Sequence, residues 1–67
     1  MQLKITKHAQ GKMSAFAISK DMIKDAIKGG AKFKQTDGLL VKYKYFSVAY
    51  KKIGKDVYKI KTVYENK

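Results

Sequence analysis

The stretch FKQTDGLLVKYKYFSVAYKKIGKDVYKIKTVY, residues 33–64, decides the fold of this 67-residue chain. Lysine alternates in it with aromatic and β-branched residues almost without a break. Strict alternation places successive side chains on opposite faces of a strand. The stretch therefore predicts a small sheet with one apolar face and one face covered by lysine ammonium groups. The residues before it predict helical cover for the apolar face.

Turn-forming residues divide this stretch into strands. Asp37-Gly38 is a strong hairpin signal between a short strand at Lys32–Thr36 and a run at Leu39–Ile53. That run is too long for an ordinary strand, and its apolar positions change from odd to even numbers at Tyr45-Phe46. Because a two-residue period cannot carry such a change, we expect a β-bulge or bend there.

The last hairpin is predicted at Gly54-Lys55-Asp56, followed by a final strand at Val57–Tyr64. A two-residue loop would place Tyr50 opposite Lys59, so a loop of three residues is preferred. The resulting register pairs residues of matching character across the two strands: Ile53 with Val57, Tyr50 with Ile60, Val48 with Thr62, and Phe46 with Tyr64. It places Thr62 and Tyr64 on the side of the sheet that the helices cover.

Two helices are predicted before the sheet. Apolar alternation at Leu3–Ile5 indicates a short edge strand, and Thr6 then occupies the N-cap position of a helix at Lys7–Ala15. Ser19 caps a second helix, which ends at Gly29-Gly30. The expected fold is a single α+β domain over residues 1–67, with two N-terminal helices packed on a three- or four-stranded antiparallel sheet.

Charge is the strongest global feature of the sequence. Sixteen lysines, no arginine and five acidic residues give a net charge of +11, which attracts polyanions. Lysine is a hydrated point charge, whereas the planar arginine side chain can form two hydrogen bonds to the same guanine. The composition therefore favours contact with phosphates over reading of bases. An A/T-rich genome, in which lysine codons are common, explains the missing arginine equally well.

Several classes of function are not expected. Without cysteine there is no disulfide or thiolate metal site, and a lone His8 cannot bind a metal by itself, so we expect no metal and no cofactor. No apolar run approaches the roughly 20 residues that span a membrane. Met1–Lys4 has no apolar region of a signal peptide. We therefore expect no membrane partner and a cytoplasmic location, which also fits the absence of cysteine.

Seven lysines are predicted to share one face of the sheet and to bind a polyanion. Lys51 faces Lys59 across the last hairpin, and like charges in direct opposition destabilise a sheet unless a counter-charge such as phosphate is present. The alternative is that the lysines only solubilise this face. The aromatic residues are expected mainly in the core, with base stacking on Tyr58 or Tyr64 as the alternative. The seven predicted binding residues are Lys32, Lys34, Lys42, Lys44, Lys51, Lys59 and Lys61.

Three segments resemble the motifs of one family. ITKHAQGKM (residues 5–13) resembles a T-x-H-A-x-x-R-M opening, ISKDMIKDAIKGG (18–30) an I-S-x-x-x-I-x-x-A-I-x-x-G helix, and IKTVY (60–64) an I-x-T-V-Y final strand. In this order they resemble a family of small domains of unknown function that is allied to the RelE, barnase and colicin-type ribonuclease toxins. The resemblance implies a RelE-like fold, in which a basic cleft between helix and sheet cleaves RNA.

Cleavage of RNA without a metal needs a base for the ribose 2′-hydroxyl, cations for the phosphorane and an acid for the leaving oxygen. The resemblance assigns His8 to the family histidine, Lys12 to the arginine position, and Thr62 and Tyr64 to the polar positions of the last strand. It implies His8 as base or acid, Lys12 as phosphate clamp, and Thr62 and Tyr64 as hydrogen-bonding residues. It also implies RNA rather than DNA as ligand and an acidic antitoxin or immunity protein as partner.

Three hypotheses follow from the sequence. The first is a toxin-like, RNA-targeting basic domain with metal-independent endoribonuclease activity as its candidate chemistry. The second is a non-catalytic nucleic-acid-binding protein that uses the lysine face on phosphates. The third is a structural or interaction domain whose lysines only confer solubility. For His8 itself, the alternative to catalysis is a partly exposed helix residue. Lysine in place of arginine at position 12 weighs against cleavage, since it offers one point charge instead of a fork.

Overall fold

The computed structural model describes residues 1–66, which form two helices packed on one face of a five-stranded sheet. The strands lie in the order β1-β5-β4-β3-β2. β1 runs parallel to β5, and all other neighbouring strands are antiparallel. The elements are β1 (Gln2–Ile5), α1 (Lys7–Phe16), α2 (Lys20–Gly29), β2 (Ala31–Gln35), β3 (Gly38–Tyr43), β4 (Phe46–Gly54) and β5 (Val57–Glu65).

Thr6 begins α1 and also attaches it to the sheet. Its hydroxyl accepts a hydrogen bond from the Ala9 amide at 3.1 Å, which satisfies one of the free amides of the first turn. The same hydroxyl lies 3.1 and 3.2 Å from the carbonyl oxygens of Ile60 and Lys61, to which it can donate. The predicted N-cap is confirmed, and it fixes the start of α1 against the middle of β5.

α2 begins and ends where the sequence predicts. The Ser19 hydroxyl accepts from the Met22 amide at 3.2 Å, and the Gly30 amide donates to the Ala26 carbonyl at 2.8 Å. A side chain at Gly30 would not fit, because a Cβ there would lie 2.5 Å from a methyl group of Val41. The close approach of Gly30 to Val41 of the neighbouring β3 therefore requires glycine at the junction between α2 and β2.

The core lies between the two helices and one face of the sheet, here called the helix face. Apolar side chains from α1 and α2 meet apolar and aromatic side chains from the three central strands, so burial of apolar area holds the two layers together. The largest fully buried side chains are Tyr50, Phe46, Ile23, Ile60, Val41, Val48 and Val63. The other face of the sheet, here called the open face, is covered by neither helix.

The sheet is larger than the three or four antiparallel strands expected. The run Leu39–Ile53 is two strands, because the chain reverses in a two-residue turn at Lys44-Tyr45. Lys44 has a φ of 53°, a left-handed conformation that sequence reasoning does not expect of lysine. This turn places Tyr43 opposite Phe46 and accounts for the change of phase. The strand is thus interrupted near Tyr45-Phe46 as predicted, but by a hairpin turn and not by a bulge.

The last hairpin has part of the predicted register, although its turn is shorter than the three residues predicted. Its turn contains two residues, Lys55-Asp56, and an irregularity between Lys52 and Gly54 adds Ile53 as an extra residue to β4. The extra residue compensates for the shorter loop. Tyr50 therefore faces Ile60, and Lys51 faces Lys59, as predicted.

A second irregularity changes the register in the other half of this hairpin. Lys61 is an extra residue in β5 between the pairs Tyr50–Ile60 and Ala49–Thr62. Such a bulge shifts every following side chain by one position relative to the partner strand. The predicted pairs Val48–Thr62 and Phe46–Tyr64 are therefore wrong. The observed pairs are Val48–Val63, Ser47–Tyr64 and Phe46–Glu65.

Candidate nucleic-acid interface

On the open face, the side chains of residues paired across neighbouring strands form rows perpendicular to the strands. One row runs from β2 to β5 through small and apolar side chains, and the row beside it carries lysine and tyrosine. A third row, on β4, β5 and β1, consists of lysines. The rows are Phe33, Leu40, Ala49 and Thr62; Ala31, Lys42, Ser47 and Tyr64; and Lys51, Lys59 and Lys4.

Four of the seven predicted binding lysines lie on the open face, namely Lys42, Lys51, Lys59 and Lys61. Lys4 joins them, because β1 pairs in parallel with β5 and places Lys4 beside Lys59. Sequence reasoning missed Lys4. The alternation of Leu3–Ile5 shows a strand, but nothing in it indicates which strand it pairs with or in which direction.

The other three predicted binding lysines lie elsewhere, and their placement on the lysine face is wrong. Lys32 and Lys34 face outward on the helix side, because the register of β2 sets them opposite Val41 and Leu39. All five residues of β2 are exposed, so no burial fixes which of its faces is apolar. Lys44 lies in the turn, with its Nζ 5.3 Å from the centroid of the Tyr43 ring. This leaves Phe33 on the open face.

One carboxylate contacts the lysines of the open face. Asp37 stands at the end of the β2–β3 hairpin, with Oδ1 2.7 Å from the Lys51 Nζ and Oδ2 3.6 Å from the Lys61 Nζ. Its backbone carbonyl also accepts a hydrogen bond from the Lys61 ammonium group. The hydrogen bond from Lys51, followed by the charges of Lys51 and Lys61, lowers the pKa of Asp37. Asp37 thus supplies part of the counter-charge that the lysine row requires.

The far end of the lysine row borders a shallow groove of about 330 Å³. Lys4 and Lys59 lie on it as register partners, and Ile53 provides an apolar wall. Within residues 1–66, neither of these two lysines forms a salt bridge. The groove therefore combines two uncompensated cations with apolar surface. The remaining lining residues are Ile5 and Thr6.

Two aromatic rings, Phe33 and Tyr64, project from the open face, although the aromatic residues were expected mainly in the core. Phe33 is 48% exposed and Tyr64 is 50% exposed. The Lys42 Nζ lies 5.5 Å from the centroid of the Phe33 ring, a distance at which cation and ring attract one another. Between the two rings, Ser47 and Ala49 are only 2% and 5% exposed, although no helix covers them.

The four residues assigned to catalysis by resemblance are not brought together. His8 and Lys12 are exposed on α1, which packs on the helix face through its other side. Thr62 and Tyr64 lie on the open face, so their predicted location on the helix side is wrong. The bulge at Lys61 is the physical reason. Within residues 1–66, no hydrogen bond or ion pair joins either of the first two residues to either of the last two.

The environment of the Thr62 hydroxyl does not suit the hydrogen-bonding role assigned to it. Its oxygen is buried and has no hydrogen-bond partner among residues 1–66. A buried hydroxyl cannot reach a ligand on the open face without movement of the side chains around it. Tyr64, by contrast, is available to a ligand because half of its surface is exposed.

The described part of the chain has neither a metal-binding cluster nor a helix that could span a membrane. Residues 1–66 contain no group of three or more His, Cys, Asp or Glu placed to hold a metal ion. Neither of the helices in this part is long and apolar enough to cross a membrane.

Comparison with known proteins gives no match, either to a family model, to a curated protein or to a solved structure.

Proposed function

We propose that this chain is a nucleic-acid-binding domain that holds phosphates on the open face of its sheet, with RNA favoured over DNA. The observation that carries the proposal is the concentration of five lysines on one uncovered face with a single carboxylate among them. The net charge of +11 acts in the same direction, since it accelerates encounter with a polyanion. The five lysines are Lys4, Lys42, Lys51, Lys59 and Lys61.

Repulsion within the lysine row favours the binding of phosphate over water at this face. Lys51, Lys59 and Lys4 are register partners on three adjacent strands, which lie roughly 4.8 Å apart. Like charges in direct opposition destabilise a sheet, and a bound phosphate relieves that repulsion. Asp37 partly neutralises only the Lys51 end of the row. The Lys59 and Lys4 end is where an external anion gains most.

Binding through lysine and phosphate carries a clear signature. Each phosphate contact releases condensed counterions, so affinity falls steeply as salt rises. Lysine contacts of this kind do not distinguish bases, and binding should therefore depend little on the base composition of the ligand. A purely solubilising lysine face would show no measurable affinity at physiological salt.

The test compares two variants of equal charge. The first changes Lys51, Lys59 and Lys61 to glutamine, and the control changes Lys20, Lys24 and Lys28 of α2, on the other side of the sheet. Fluorescence anisotropy with a labelled single-stranded RNA is measured over a range of salt concentrations. The first variant should lose about 2 from the slope of log K against log salt, at roughly 0.7 per phosphate contact. Equal losses in both variants would refute the assignment of the face.

A second candidate is a RelE-like, toxin-like ribonuclease, and one observation favours it. His8 and Lys12 are four residues apart, so they are neighbours on the surface of α1, and both are exposed. An imidazole beside an ammonium group is a reasonable pair for proton transfer at a phosphate. In this case an acidic antitoxin or immunity protein is the proposed partner and the cytoplasm the proposed location.

Cleavage is tested by incubating labelled tRNA and mRNA with the protein in the presence of a chelator, with His8→Ala in parallel. Discrete products that disappear with the variant would support the ribonuclease. Intact RNA that is shifted equally by both proteins on a native gel would reject cleavage and leave the binding domain.

A further inference from the structure

The open face combines its lysines with two aromatic rings that are about half exposed. Phe33 stands near one edge of the sheet, on β2, and Tyr64 stands on β5, three strands away. At the usual spacing between strands, their backbones are separated by roughly 14 Å across the sheet. A half-exposed ring on a surface that is otherwise rich in lysine retains apolar area in water that a ligand could cover.

The surface between the rings is low and closely packed. Ser47 and Ala49 are almost completely buried by their neighbours, and Leu40 is partly buried. The Ser47 hydroxyl is already bonded to the Asn66 side chain at 2.5 Å, so it is not available to recognise a ligand. Because Ser47 and Ala49 are already covered, the apolar surface that a flat ligand group can contact here is that of the exposed Phe33 and Tyr64 rings.

We propose that the open face binds single-stranded nucleic acid, with unpaired bases stacked on Phe33 and Tyr64 and phosphates held by the surrounding lysines. The inference rests on the proposed function and specifies its substrate class. Bases inside a duplex are stacked on each other and cannot reach a side chain, whereas unpaired bases can. Stacking on aromatic side chains accepts every base, which agrees with a surface that has no arginine to read base edges.

Lys42 lies between the two stacking positions. Its Nζ is 5.5 Å from the centroid of the Phe33 ring, and its backbone belongs to the row that leads through Ser47 to Tyr64. This position allows it to contact the phosphates that join a base on Phe33 to a base on Tyr64. An acidic peptide would also meet the charge requirement, but two separated rings with lysine between them match alternating bases and phosphates better.

Two variants remove one ring each while retaining apolar volume, namely Phe33→Leu and Tyr64→Leu. The control is Tyr45→Leu, since Tyr45 is similarly exposed at 44% but lies in the turn near α1, where its hydroxyl donates to the Phe16 carbonyl. Three labelled ligands of equal length are used: oligouridine, a blunt duplex RNA, and an abasic strand that has the phosphates without bases. Circular dichroism and thermal unfolding establish that each variant is folded.

The expected result is weaker oligouridine binding by about tenfold for each lost ring, the order of magnitude of stacking one base. Tyr64→Phe and Tyr45→Leu should bind as the unaltered protein does. Binding of the abasic strand should not respond to either ring, and the duplex should bind less tightly than oligouridine.

The inference is overturned if the duplex and the abasic strand bind as tightly as oligouridine and the leucine variants have no effect. If the change of Lys51, Lys59 and Lys61 to glutamine still abolishes binding in that case, the proposed function stands without base stacking. If no nucleic acid binds but polyglutamate does, both the inference and the proposed function are wrong, and the face binds acidic protein.

Discussion

At the scale of single residues, the carboxylate of Asp37 neutralises part of the positive charge on the open face. It bonds Lys51 and lies close to Lys61, the position that a phosphate would take between these two cations. Any polyanion that binds here must compete with it. For the proposed function, the hairpin that carries Asp37 should therefore lower the affinity of the open face for phosphate, while its ion pairs stabilise the unbound sheet.

We expect Asp37→Asn to raise the affinity for single-stranded RNA several-fold at low salt, because the variant frees two ammonium groups. The gain should shrink as salt is added, since exposed charges are screened within about 10 Å at 0.1 M. Anisotropy titrations at two salt concentrations measure it. Asp25→Asn, which makes the same change of charge on α2, is the control, and an equal gain there would show that only net charge matters.

The same carboxylate gives a stability that depends on pH. The pKa of Asp37 is lowered in the folded state by Lys51 first and then by Lys61, so the ionised form stabilises the fold. A lowered pKa contributes stability above the ordinary aspartate value of 3.8, and this contribution is lost as pH falls through the lower folded-state value. The unfolding temperature of the unaltered protein should therefore exceed that of Asp37→Asn at neutral pH and converge with it in acid. A constant difference at every pH would contradict this account.

At the scale of elements, α1 depends on Thr6 for two separate attachments. Thr6→Ala removes the cap on the Ala9 amide together with the bonds to the carbonyls of β5. We expect a loss of about 1–2 kcal/mol in the free energy of unfolding, at the upper end for an N-cap. Urea denaturation measures it. Thr6→Ser keeps the hydroxyl and should retain most of the stability, so an equal loss in both variants would assign the effect to the methyl group.

Sequence reasoning succeeded for the elements whose ends carry their own chemistry. Thr6 and Ser19 cap helices with their hydroxyls, and Gly29-Gly30 ends α2. The hairpin predicted at Asp37-Gly38 is present, although its two turn residues are Thr36 and Asp37, one position earlier. These effects act between near neighbours in the chain, and a short window of sequence therefore contains them.

The elements that were missed depend on distant partners. A lysine at position 44 gives no sign of a left-handed turn, and nothing in IKTVY marks Lys61 as the extra residue of a bulge. Both follow from the fit of β4 between its neighbours. The prediction of the candidate site was affected most, because the added residue Lys61 moves Thr62 and Tyr64 to the other face of the sheet. The alternation of lysine still placed Lys42, Lys51 and Lys59 on the open face, since a period of two survives wherever the register is regular. Lys61 lies on that face as the extra residue of the bulge.

At the scale of the whole molecule, the net charge makes stability and binding respond to salt in opposite directions. The lysines repel one another in the folded state, and added salt screens that repulsion. We expect the unfolding temperature of the free protein to rise between about 10 and 150 mM NaCl, while affinity for RNA falls over the same range. Thermal unfolding by circular dichroism checks the first part. The variant without Lys51, Lys59 and Lys61 should show a smaller rise, and an identical rise would locate the repulsion elsewhere.

The strand order has a consequence for how the chain acquires its structure during synthesis. β5 is the last strand to be made, yet it lies inside the sheet, between β1 from the start of the chain and β4. The Met1 amine is even paired with Asp56 at 2.6 Å, just before β5 begins. Before β5 has been made, β1 has no strand to pair with and α1 lacks the strand on which it mainly packs. We therefore expect folding to occur after translation of the whole domain rather than in stages, with the long-range pairing of β1 and β5 setting its rate.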